Sequence, residues 1–142
     1  MEGAAALGMA WLQVRCLPFR WWFGWLGLRA SGEVNAMDSE WDRCVGDVAR
    51  TLHAINRRFG GRFTCLMLAM AAHWMLGRRG IGSSLVLGTR VESSSGGKRL
   101  LEAHAWVRVG DRVVLGEHGG RYTAVSSFVR QGSKRRRVVK AA

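Results

Sequence analysis

Apolar residues in the second quarter of the chain recur at helical spacing. Trp41, Val45, Val48 and Leu52, followed by Ile55 and Phe59, mark one face of the segment 37–58, MDSEWDRCVGDVARTLHAINRR. Asp38 or Ser39 supplies an N-cap, and Glu40 and Asp42 stand near the positive end of the helix dipole. His53 lies beside the stripe and reads as structural. Gly60-Gly61 breaks the pattern. In RFTCLMLAMAAHWMLGRRGIG (62–82), Thr64 is a natural N-cap and uninterrupted helix formers follow it, which predicts a buried helix from Cys65 to about Arg79. SSLVLGTRVE (83–92) alternates like a strand, and SSSGGKR (93–99) is a polar, flexible connection.

HAWVRVGDRVVLGE (104–117) holds two apolar-rich runs around Gly110-Asp111, a pair that suits a two-residue hairpin turn. That turn sets a register: Val109 opposite Arg112, Val107 opposite Val114, Trp106 opposite Leu115 and His104 opposite Glu117. Directly opposed residues have Cβ atoms about 4.5–5.5 Å apart, so His104 and Glu117 are expected within hydrogen-bond reach. Asp111, at the turn, is expected about 20 Å from His104 at ~3.3 Å per residue. Upstream, WLQVRCLPFRWWFGWLGLRA (11–30) reads as two short apolar helices around Pro18, with four tryptophans to cover the core or a partner surface.

A chain of 142 residues with 48% apolar residues has enough material for one domain with a real core. Its 22 Lys and Arg against 10 Asp and Glu give a net charge of +12, which raises the question of nucleic acid. The distribution argues against it. One cluster, KRRRVVK (134–140), lies in a terminal segment of solvated-tail composition, and the other arginines are scattered among apolar residues with no nucleic-acid motif. Three segments are expected: an N-terminal helical region (1–58), a core (59–130) and a basic tail (131–142). Glu2 ahead of the apolar run Gly3 to Leu12 is unlike a signal peptide, and Arg15, Arg20 and Arg29 interrupt any membrane span.

Cys16, Cys44 and Cys65 are odd in number and lack C-x-x-C spacing, so no disulfide framework, metal site or cofactor is indicated, and a reducing, cytoplasmic setting is expected. Cys65 differs from the other two by its place in the first turn of a helix. Unpaired backbone N–H groups and the positive dipole end there favour a thiolate, and the same N–H groups can receive an oxyanion. The alternative is a buried, inert cysteine in a core helix.

A cysteine-headed helix followed by an antiparallel sheet bearing histidine and a carboxylate is the order of the transglutaminase-like (papain-like) cysteine protease core, an α+β fold. The chain resembles the small leader-processing cysteine proteases of lasso-peptide biosynthesis through LPFRWW, TCLMLAMAAHWMLGRRGIGSSLVLGTR, AHAWVRVGDRVVLGE and RYTAVSSF, over about residues 10 to 130. The resemblance implies that Cys65 is the nucleophile and His104 the general base. It places an aspartate third, where this chain carries Glu117, the residue the hairpin register also selects; Asp111 is the weaker substitute. It further implies three partners: a lasso precursor peptide, a separate leader-recognition protein of the PqqD-like kind and an asparagine-synthetase-like cyclase. A transglutaminase-like acyl transferase would use the same three residues with an amine in place of water, and a non-catalytic adaptor would use none.

Overall fold

The structure, a computed structural model, describes residues 1–18, 21, 24, 28–29, 39–93, 99–117, 119 and 122–132. Three helices are described: α1 (Glu2–Cys16), α2 (Ser39–Arg58) and α3 (Cys65–Arg78). Five strands follow the order β1-β5-β2-β3-β4 across one antiparallel sheet: β1 (Leu28–Arg29), β2 (Ser83–Ser93), β3 (Arg99–Val109), β4 (Arg112–Leu115) and β5 (Thr123–Arg130). The expected α+β class is what is found.

The core forms around α3. Met67 to His73, Met75 and Leu76 are all buried, so most of the helix surface must be covered, with only the side carrying Leu66, Trp74 and Arg78 nearer solvent. Ala6, Leu7 and Ala10 of α1 cover one flank, Val45, Val48 and Leu52 of α2 a second. The sheet covers the third with Leu85, Ala105, Val107, Val109, Leu115 and Phe128. His73 is polar in this setting and is satisfied there: its Nδ1 lies 2.8 Å from Ser83 Oγ at the start of β2.

The α2 stripe holds at Val45, Val48 and Leu52, but Phe59 falls past the helix end and stays exposed, edge-on to Phe63 at 5.8 Å between ring centres. Asp38, one of the two expected N-caps, lies outside the described residues, and α2 begins at Ser39. His53 is exposed. Of the two short helices expected around Pro18, the first is the end of a longer helix that starts at Glu2, and the second falls mostly on residues outside the described ones. The longer helix stops at Cys16 because Leu17, the residue before a proline, is driven out of the helical region (φ −117°, ψ 138°). Of the four tryptophans around Pro18, Trp11 and Trp21 are exposed; Trp22 and Trp25 lie outside the described residues, as do most of the connection 93–99 and the KRRRVVK tail.

Glu2 takes part in the fold. Its two carboxylate oxygens accept from Arg79, Oε1 from Nη1 at 3.1 Å and Oε2 from Nη2 at 2.6 Å, fastening the start of α1 to the end of α3. The Arg79 hydrogen bond, more than any other influence, holds the Glu2 carboxyl below its ordinary value of 4.5. A depressed carboxyl adds stability above the ordinary carboxylate range and loses it as pH falls through the folded-state value. Both groups are about a third exposed, so Glu2→Gln should cost only about 0.5–1 kcal/mol at pH 7. In urea titrations the difference from wild type should shrink towards zero at pH 3; an undiminished difference would show that the loss is not ionic.

Candidate functional site

Cys65 is the first residue of α3, as expected. Thr64 precedes it in extended conformation (φ −71°, ψ 162°), and its Oγ1 accepts from the Met67 N–H at 3.3 Å. The chain reaches Thr64 through a turn fixed by α2: the Gly61 N–H donates to the Asn56 carbonyl at 2.8 Å, and the Phe63 N–H to Asn56 Oδ1 at 3.1 Å. Thr64 also offers its carbonyl to the Leu68 N–H at 3.0 Å, leaving the N–H groups of Cys65 and Leu66 unused by cap or helix. Cys65 is half-buried against the core, Cys44 is half-buried and Cys16 is exposed; none is in a disulfide.

His104 stands on β3 opposite Gly88 of β2. Successive strand residues face opposite ways, so His104 shares with Glu102 and Trp106 the face turned away from Ala105 and Val107, which pack towards α3. Gly88 is required there. A Cβ on it would come within 2.6 Å of the Trp106 ring and 2.9 Å of the Thr123 carbonyl oxygen. The His104 ring stacks beside Trp106, with centres 6.1 Å apart and planes at 22°, and lies 5.2 Å from the Tyr122 ring. Beyond it Arg90 donates from Nε to Glu102 at 2.6 Å and sits over the Tyr122 ring at 5.1 Å. The Arg90 guanidinium, with a further hydrogen bond from Tyr122, holds the Glu102 carboxyl below the usual range, while burial and that same bond push the Tyr122 phenol up.

The hairpin turn falls at Gly110-Asp111, with Val109 opposite Arg112 as expected. The register does not continue. A bulge pairs Arg108 with Val113 but Val107 with Leu115, so the expected pairs Val107–Val114 and Trp106–Leu115 are replaced, and β4 ends at Leu115. An extra residue in one strand shifts every later pairing by one, which removes the register argument for Glu117 opposite His104. Glu117 is exposed. What meets the histidine is the preceding residue: His104 Nε2 lies 2.8 Å from the Gly116 carbonyl oxygen. Asp111 is exposed at the hairpin tip, where its carbonyl accepts from Arg108 at 3.2 Å.

The structure brings His104 together with Gly116, Trp106 and Tyr122. Cys65 packs with the helix-side core, whereas the described contacts of His104 are with these residues. Glu102, Tyr122, Arg90 and Gly116 were not singled out from the sequence. Glu102 shares a strand face with His104 by simple alternation and was legible; the Gly116 contact depends on the bulge and was not. Among the described residues no group of three or more His, Cys, Asp or Glu is placed to hold a metal ion. No described helix is long and apolar enough to cross a membrane.

Comparison with known families agrees with this layout. A model of the transglutaminase-like superfamily matches residues 10–127. The chain belongs to that superfamily. The match runs from Ala10 within α1 to Ser127 within β5, so it includes the head of α3, the His104 strand and the bulged hairpin. No curated protein and no solved structure matches significantly. Members of this transglutaminase-like superfamily include cysteine proteases and acyltransferases, and both chemistries begin with a thiolate attacking an acyl carbon.

Trp106 closes over Gly88 on the histidine face, leaving no room for an added Cβ. Gly88→Ala should destabilise by about 1–3 kcal/mol through overpacking, read as a lower urea midpoint with an unchanged slope. An unchanged midpoint would mean that the indole does not rest on this glycine.

Proposed function

We propose that the protein is a cysteine peptidase that removes the leader from a lasso precursor peptide. The observation that carries this reading is a capped cysteine at the head of a buried helix, in a chain of the transglutaminase-like superfamily. The motif resemblance through AHAWVRVGDRVVLGE and the other three segments supports the substrate class.

In this reading His104 takes the Cys65 thiol proton, the sulfur bonds to the scissile carbonyl carbon, and the carbonyl π electrons move to oxygen. The N–H groups of Cys65 and Leu66, left over by the Thr64 cap, receive that oxyanion. Collapse breaks the C–N bond as His104 protonates the leaving amine, and water, deprotonated by the same imidazole, releases the acyl group from sulfur. For this step the imidazole must come within reach of the thiol. Delivery falls to a separate leader-recognition protein, and ring closure to an asparagine-synthetase-like cyclase.

The test incubates precursor peptide with the chain and the recognition protein and follows products by mass spectrometry. Cys65→Ala should lower cleavage by at least about 10³-fold, whereas Cys16→Ala and Cys44→Ala retain it. Full cleavage by Cys65→Ala would end the reading; a product heavier by an added amine would assign acyl transfer instead of hydrolysis.

A further inference from the structure

We propose that the imidazole of His104 is oriented by the backbone carbonyl of Gly116, in place of a carboxylate side chain. The inference deepens the peptidase reading and rests on it for its catalytic meaning, though its geometry stands separately. A carbonyl oxygen can only accept, so at 2.8 Å the Nε2 atom must carry the hydrogen. The lone pair then belongs to Nδ1, and that nitrogen is the base. This fixes which edge of the ring must turn towards the thiol.

The backbone at this point is built for the contact. Gly116 has φ +82°, and a Cβ there would stand 2.7 Å from the Ala105 carbonyl oxygen and 3.0 Å from Trp106 Cα. Only glycine lets the chain leave β4 close enough beneath β3 to present its carbonyl to the ring. The bulge between Val107 and Arg108 supplies the offset that puts Gly116 there. Glu102, on the same face, is hydrogen-bonded to Arg90 and Tyr122. A neutral acceptor is chemically sufficient, because a thiolate–imidazolium pair carries its charges before attack and needs its ring held more than its cation stabilised. Cysteine peptidases that use an asparagine amide in this role show the same economy.

Two measurements on the whole chain test this. Ring nitrogen–proton correlation spectra of ¹⁵N-histidine-labelled protein should show for His104 a solvent-protected proton on Nε2. It should persist in Glu117→Gln and vanish in Gly116→Ala. Cleavage by Gly116→Ala should fall in kcat by about 10- to 10³-fold with KM little changed, while Gly119→Ala, where a Cβ meets open space, behaves as wild type. A wild-type ring with its proton on Nδ1 and none on Nε2, or loss of the Nε2 proton in Glu117→Gln alone, would overturn the proposal. Because the spectra need no substrate, they decide the hydrogen bond even if the chain cleaves no leader.

Discussion

Burial of most of α3 is the constraint from which the rest of the arrangement follows. A helix carrying Met67, Leu68, Met70, Met75 and Leu76 with small alanines between them has little surface to offer water, and each large side chain contributes about 1.5–3 kcal/mol when covered. Covering it requires α1, α2 and the sheet at once. The same requirement leaves the ends of α3 and the half-buried Trp74 nearest solvent. Thr64 closes one end while releasing two N–H donors beside Cys65, and Arg79 ties the other to Glu2. The proposed reactive position is therefore a by-product of core packing: the first turn of the helix is held by its neighbours while Cys65 itself stays half-buried.

Much of this was legible in the chain. The α2 stripe, the Gly60-Gly61 break, the Thr64 cap and the hairpin turn all depend on interactions between residues near in sequence, where periodicity and turn chemistry speak directly. What could not be read depends on distant partners. The extent of α1 is set by its fit against α3, β5 by pairing with β2 some 40 residues away in sequence, and the bulge at Val107 by how β4 must leave the sheet. One inserted residue, Val114, was enough to exchange a carboxylate for a carbonyl beside His104.

His104 and Cys65 are held by different parts of the fold. Helix packing fixes the thiol; Gly88, Trp106, Tyr122 and Gly116 fix the imidazole on the other face of the sheet. Membership of the transglutaminase-like superfamily is shown for the chain, and the roles of these two residues belong to the proposed reaction.

The central claim is that the head of α3 activates Cys65, and the most direct measurement is competitive alkylation of the native chain with limiting iodoacetamide, followed by peptide mapping. Exposure alone ranks Cys16 first, since Cys44 and Cys65 are both half-buried. Activation by the unused N–H groups at the helix head reverses that order: Cys65 should be labelled fastest at neutral pH. Labelling of Cys16 first, with Cys65 left unmodified, would contradict the account.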